Sequence, residues 1–282
     1  MKSKAKVVVI GGGAGGVSML YHLAKKGSAD VVLVERKELT SGSTWHAAGL
    51  LPLFNMSYSV GQLHKYAVNL YKTLEKETGK MVGLDIPVIP VEHQYIVTEP
   101  HPEIQKRKKE GLPEMGVLRD SDSRWYMREE AGGLILGPYE DGAPACYVEG
   151  PSKNSEYELF QEDLDRLAPH IEGAIHRVPA FGEVGVKKVY NGAICYTPDV
   201  NPIVGPAWGL KNFWINEGHS FGITAAGGAG WQLAEWIIDG EPTIDMLGVE
   251  PRRYGNYSTK SYLKAKNEEP YSHVFITHYP DE

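Results

Sequence analysis

The chain has 282 residues, enough for one large core or two ordinary ones, and its 42% hydrophobic and 23% charged composition excludes a disordered, collagen-like or disulfide-stapled protein. With 29 Lys and Arg against 36 Asp and Glu the net charge is −7 and the pI about 5.8, so neither a nucleic-acid backbone nor an anionic membrane is an expected partner. Glycine is the residue in excess: there are 32, many clustered towards the two ends, which predicts backbone brought close to something.

Along the chain, the β-branched run at 6–10, the glycine turn at 11–16, the helical spacing of 17–26 and a second apolar run at 31–34 predict one βαβ unit. The run at 7–10 is too short for a signal peptide, and no run reaches the ~20 apolar residues of a membrane span, so the expected location is cytoplasmic. Val60, Leu63, His64, Ala67, Leu70, Tyr71 and Leu74 recur at steps of three and four, an amphipathic helix ending near Gly79. From Leu84 the texture changes. Segments 87–98, 116–118, 125–128 and 134–136 read as strands of an antiparallel sheet. Ser155 with Glu158 matches a capping box, predicting a helix that carries Leu159, Leu164 and Leu167 and stops before Pro169. Residues 184–196 and 213–215 return to strand, 218–230 is a second glycine-rich stretch, 233–238 is helical, and 250–282 reads as an ordered but peripheral tail.

Cys146 and Cys195 are the only cysteines, which suits two free thiols in a reducing compartment. The ten histidines are scattered with no metal-ligand spacing, so no metal is expected. The chemistry begins at Gly11-x-Gly13-x-x-Gly16, placed after a strand and opening a helix, with Glu35 nineteen residues beyond the last glycine. Gly11 turns the chain, Gly13 lets backbone approach a pyrophosphate, and Gly16 lets helix and strand pack; Ala14 lies in the same turn. Glu35, followed by Arg36, would accept from an adenosine ribose. This motif leaves NAD and FAD equally open.

The stretch from Ser41 to Leu50, reading SGSTWHAAGL, resembles the flavin-attachment segment of the dimethylglycine and sarcosine dehydrogenases. The likeness continues in order through Glu92-His93-Gln94-Tyr95, Trp125 to Glu129, Asn191 to Asp199, and Gly218 to Pro242, so it covers most of the chain. The resemblance implies an α/β fold: a reduced, Rossmann-like FAD-binding domain from 1–83 and 192–250, an antiparallel-sheet substrate domain from 84–191, and a tail from 251–282. It implies FAD carried covalently on His46, with Ser43 and Thr44 beside it and the start of a late helix at Gly222, Ile223 and Thr224 facing the flavin. It implies Tyr95 near the substrate. His93 alternates onto the same strand face, and Arg128 is the guanidinium chosen for a substrate carboxylate; each is equally compatible with an ordinary structural role.

By the same resemblance the chain is expected to be an enzyme that oxidises a small N-methyl amine or amino acid and passes electrons to oxygen or an electron-transfer protein. By the resemblance the pattern breaks between Lys80 and Leu84, where the family carries a long stretch completing the dinucleotide sheet, and the folate-binding portion that follows in some relatives is not expected within these residues. The competing expectation is therefore a catalytically impaired nucleotide-binding or partner-binding remnant of the same family.

Overall fold

The structure, a computed structural model, describes residues 4–47, 57–74, 88–152, 155–207, 211–255 and 257–275. It divides into two units, one from residues 1–89, 149–158 and 195–263 and the other from 90–148, 159–194 and 264–282.

In the first unit, β1 (Val7–Ile10) and β2 (Val31–Val34) pair in parallel from Val7↔Val31 to Ile10↔Val34, and α1 (Ala14–Lys25) connects them. Gly27, at φ 80, ends that helix: its amide reaches Ala24 O at 2.9 Å while the Ser28 amide reaches Leu23 O at 3.0 Å, satisfying two carbonyls the helix leaves open. The other helices are α2 (Tyr58–Leu74) and α5 (Gly222–Asp239), and β8 (Ile203–Pro206) and β9 (Trp214–Glu217) form an antiparallel pair. Met19, Leu23, Val60, Leu63, Val204, Leu233 and Val249 make one core among them.

The glycine-rich stretch expected ahead of a helix is itself helical, because its missing side chains make room for neighbours. A Cβ on Gly228 would stand 2.3 Å from Leu63 O, and one on Gly230 would stand 2.5 Å from Ser18 C, so α5 meets α2 and α1 backbone to backbone. Each glycine costs a helix about 1 kcal/mol relative to alanine, which this close contact must offset. Beside the seam, buried His22 has Nδ1 2.6 Å from Ser18 O and Nε2 3.0 Å from Tyr66 Oη, while the Tyr66 ring stacks on Trp231 at 4.2 Å. Burial lowers the His22 pKa to about 4.

The second unit is a five-stranded sheet in the order β4-β5-β6-β3-β7, made by β3 (Val91–Thr98), β4 (Leu118–Asp120), β5 (Trp125–Glu130), β6 (Gly133–Pro138) and β7 (Val186–Ile194), all antiparallel. One face packs Ile96, Trp125, Met127, Leu134 and Leu136 on Leu167 and Ala174 of α4 (Leu164–Arg177). The register puts His93, Tyr95, Tyr126, Arg128, Glu130 and Tyr190 on the opposite face. Gly137 lies beneath Tyr126, whose ring would stand 2.0 Å from a Cβ there.

Three local expectations are corrected, and two elements were not expected. Asp163, rather than Ser155, caps the helix before the β7 strand, accepting from the Arg166 amide at 3.1 Å; the Ser155 hydroxyl instead meets Glu158. That helix also continues through Pro169. A short α3 (Pro102–Lys109), started by His101 and Pro102, follows β3, and β8 occupies residues with no sequence signal. The closing segment forms α6 (Lys260–Ser272), with Leu263, Asn267 and Tyr271 buried rather than peripheral. The end of the amphipathic helix near Gly79 lies outside the described residues.

Two substitutions test this packing. Gly228→Ala should lose about 1–3 kcal/mol in a denaturant titration, by forcing backbone apart, whereas Gly222→Ala, whose Cβ meets only His219 Cβ at 3.6 Å, should be neutral or stabilising. Because the His22 pKa in the folded chain is about 4 and an exposed imidazole's is near 6.5, the unfolded chain binds the extra proton between those values. Stability is then fully present above about pH 6.5 and falls towards pH 4. His22→Gln should flatten that part of a plot of Tm against pH.

Candidate dinucleotide and substrate sites

The first unit gathers the cofactor candidates around the β1 to α1 turn. Gly11, at φ 106, needs the freedom of glycine, and a Cβ on Gly16 would lie 2.4 Å from Gly11 O. Gly13, extended, precedes the helix, and no side chain caps it. The Ala14 amide reaches Thr44 Oγ1 at 3.4 Å, and no acidic residue occupies the first turn, leaving the positive end of the helix for an anion. Glu35 is already engaged: one oxygen accepts from the Gly12 amide at 2.5 Å and the other from the Lys37 amide at 2.8 Å. It holds the glycine turn and keeps lone pairs for a further donor. Arg36 is exposed.

His46 is half-buried at the end of a run of turns begun at Ser41, its ring edge-on to Trp45 at 5.3 Å, and Trp45 packs on Tyr157 at 5.4 Å. Ser43 is exposed on the same segment, which is tied back by the Thr40 amide to Gly12 O at 3.0 Å and by Tyr157 N to Ser41 O at 3.1 Å. Residues 48–50 of the matching stretch lie outside the described residues.

Two residues not singled out individually from sequence complete this region. Asn216 on β9 donates through Nδ2 to Gly15 O at 3.2 Å, so its Oδ1, 2.9 Å from His219 Nε2, must be the acceptor of that second bond. His219 therefore carries its proton on Nε2 and turns a bare acceptor, Nδ1, inward; that buried atom has no partner among the described residues. Burial first, and His64 second, push the His219 pKa down to about 4, so the ring stays neutral. Three residues on, α5 begins without a side-chain cap or an acidic first turn, at Gly222, Ile223 and buried Thr224. A glycine turn in which Gly16 admits no Cβ, two uncapped helix starts and a buried acceptor lacking its donor are what an adenine dinucleotide with a polar ring would satisfy. The signal for His219 was its place in the Gly218-His219-Ser220 block.

The second unit holds the substrate candidates. The Tyr95 ring stacks on Tyr190 at 4.8 Å, and its phenol pKa rises to about 12 through burial, Tyr190 and Glu130, with Arg128 opposing. Tyr95 is thus a neutral hydrogen-bonding group rather than a base. Arg128 pairs with Glu130 at 2.6 Å and donates to Glu129 O at 2.8 Å, so a substrate carboxylate there would compete with Glu130. His93 has both nitrogens engaged, Nδ1 2.8 Å from Tyr271 Oη and Nε2 3.2 Å from Tyr126 Oη. Cys146 and Cys195 are free thiols, burial raising the first to about 12, and no metal-ligand cluster occurs among the described residues.

A family model described as FAD dependent oxidoreductase matches residues 6–84 and 78–236, and one described as FAD dependent oxidoreductase central domain matches 239–282. The mitochondrial dimethylglycine dehydrogenase of Rattus norvegicus is 31% identical over 418 residues, covering 100% of this chain and 48% of that protein. The mitochondrial sarcosine dehydrogenase of Homo sapiens is 26% identical over 423 residues, covering 100% and 45%. The chain thus spans about half the length of these relatives. The crystal structure of L-proline dehydrogenase from P. horikoshii superposes with a TM-score of 0.69 at 17% identity, over 90% of this chain and 98% of that one. No helix among the described residues is long and apolar enough to cross a membrane, and the mitochondrial names lend the cytoplasmic expectation no support.

Glu35→Ala should free the Gly12 and Lys37 amides, costing about 1–3 kcal/mol of stability and weakening dinucleotide retention. Denaturant titrations with and without added FAD check both; a variant as stable as the parent would show the carboxylate to be idle.

Proposed function

The chain belongs to the FAD dependent oxidoreductase family, grouping with the dimethylglycine and sarcosine dehydrogenases, and from that premise we propose that it oxidises an N-methyl amino acid. The observation that carries the reading is the Asn216 bridge, which joins the first turn of α1 to the donorless acceptor of His219 beside the start of α5. In this reading Gly11, Gly13, Ala14 and Gly16 cradle the pyrophosphate, Glu35 takes the ribose, and His46 is the covalent attachment point, with Ser43 and Thr44 beside it. The start of α5 at Gly222 to Thr224 offers amides and a positive dipole to the reduced, anionic ring.

Flavin, when bound, supplies the acceptor for a hydride from the N-methyl carbon. Arg128 would orient the substrate carboxylate, exchanging part of its pairing with Glu130 for a forked contact. The substrate would react as its free base, its ammonium proton released to solvent beforehand, and Tyr95, held neutral, would hydrogen-bond the amine nitrogen. Water hydrolyses the iminium left by hydride loss, giving formaldehyde and the demethylated amine. Oxygen and an electron-transfer protein both remain candidates for the final electron acceptor.

A second reading, a catalytically impaired relative, is favoured by one observation. The relatives' alignments run over 418 and 423 residues although this chain has 282, and the two matched pieces of the family model meet at 78–84, so relative sequence lies opposite no residue of this chain. Flavin exposed to water through such a gap would turn over slowly even when bound.

Flavin should stay with the polypeptide after acid denaturation, and His46→Ala should release it; colourless protein from riboflavin-supplied cells would sink the reading. Turnover of sarcosine or dimethylglycine on the order of 1–10³ per second would decide for the enzyme over the impaired relative, and retained flavin without turnover would decide the reverse.

A further inference from the structure

The sheet face that carries Tyr95 and Arg128 also carries a buried polar chain that none of the roles above uses. Tyr126 Oη lies 3.2 Å from His93 Nε2, and His93 Nδ1 lies 2.8 Å from Tyr271 Oη on α6. The Tyr271 hydroxyl donates to one oxygen of Glu140, and Gln94 Nε2 donates to the other at 2.9 Å. Tyr126 is 2% exposed, and Tyr271, Glu140 and Gln94 are 0% exposed. Buried polar groups in such a row share their protons in a fixed sense, since each member can donate only once along it.

The sense is set by the last member. An ionised Glu140 only accepts, so Tyr271 donates to it and must accept from His93 Nδ1–H. His93 Nε2 is then a bare acceptor, Tyr126 donates to it, and the Tyr126 oxygen is left with lone pairs alone. A protonated Glu140 reverses the row: it donates to Tyr271, Tyr271 donates to Nδ1, Nε2–H donates to Tyr126, and the Tyr126 proton turns away from His93. The alternative acceptor for Tyr271, Pro138 O, is 3.5 Å away and too long to compete with His93.

We propose that the ionisation of Glu140 sets the direction of every hydrogen bond from Tyr271 through His93 to Tyr126, and so decides whether Tyr126 offers this face of the sheet an acceptor or a donor. Glu140, Tyr271 and His93 are then positioning residues. The inference rests on the reading of this face as the substrate side: an acceptor phenol suits the N–H of the ammonium form in which an N-methyl amino acid arrives, and a donor phenol opposes it.

The groups around Glu140 are Tyr271 from α6, Gln94 from β3, Tyr126 from β5, the adjacent Tyr139, and Arg166 from α4. Arg166 is itself paired with Glu92 at 2.9 Å and Asp163 at 3.0 Å. Burial raises the Glu140 pKa, against the lowering effects of Tyr271, Gln94 and Arg166. The acceptor state therefore prevails above that raised value and gives way as pH falls through it.

Nitrogen-15 NMR of histidine-labelled holoprotein, with the His93 signals assigned by their loss in His93→Asn, reads the tautomer directly over roughly pH 4 to 8. The expected result is a neutral ring protonated on Nδ1 at high pH that changes to one protonated on Nε2 at lower pH. Glu140→Gln should hold one tautomer throughout. Tyr271→Phe, which keeps the carboxyl but breaks the row, should likewise abolish the change. Amine binding to the wild type should weaken roughly tenfold or more across the same transition, and only there. A single tautomer at all pH values in the wild type, an imidazolium in place of the second tautomer, or a change that persists in both variants would overturn the proposal. Failure of sarcosine and dimethylglycine to reduce bound flavin would instead overturn the functional reading, leaving the tautomer result to stand or fall by itself.

Discussion

The first unit depends on the contact that α5 makes without side chains. Gly228 and Gly230 bring it within backbone distance of Leu63 and Ser18, and Gly227 brings it close to Ala67, so α1 and α2 are held by one small-residue helix. Helices separated by ordinary side chains lie 8–10 Å apart axis to axis, and a seam this close narrows that spacing and fixes which residues can meet across it. Ser18 donates to Gly227 O at 3.1 Å, and His22 reaches Tyr66, because the helices are that near. The same helix begins at the loop that carries His219. The position of its start relative to the glycine turn is set by packing further along, and no loop has to hold it.

The second unit achieves its order differently. One sheet face is closed by α4 through apolar contacts, which need only volume and pattern, whereas the other is closed partly by a polar row. Apolar packing tolerates adjustment; a row of single protons does not, since a missing member leaves a buried donor or acceptor unsatisfied. The segment matched by the central-domain model, residues 239–282, supplies Tyr271 to that row, so residues outside the main family match help to order the sheet of the second unit.

Legibility in the sequence tracked the range of the interactions. The βαβ unit was readable because strand, glycine turn, helix and acidic residue lie within thirty-five residues and each constrains the next locally. β5 and β6 were readable from alternation and turn residues. The start of the helix at Leu164 was not, because Ser155 and Asp163 are both good caps and only the contacts of Leu167 and Ala174 with the sheet choose between them. The glycine stretch is legible only in part: the resemblance places a helix start at Gly222, while the cause of its glycine content is a neighbour more than 150 residues away in Leu63 or Ser18. At the site, Gly11, Gly16 and Glu35 are evident from the motif, but the Asn216 bridge and the Tyr271 contact to His93 are pairings of distant residues that no local pattern encodes.

The break relative to the longer relatives falls close in sequence to the passage from the first unit to the second. The family-model pieces meet at 78–84, and the chain passes from the first unit to the second at residues 89 and 90. On one side, α2 is anchored by Val60, Leu63 and Ala67 against α5 before residue 74. On the other, β3 begins at Val91 and is held by its pairing with β6 and β7. Each anchor is complete among the described residues of its own unit. Local integrity of the glycine turn and of the tyrosine-bearing sheet is therefore no measure of turnover. Each motif is stabilised by contacts inside its own unit.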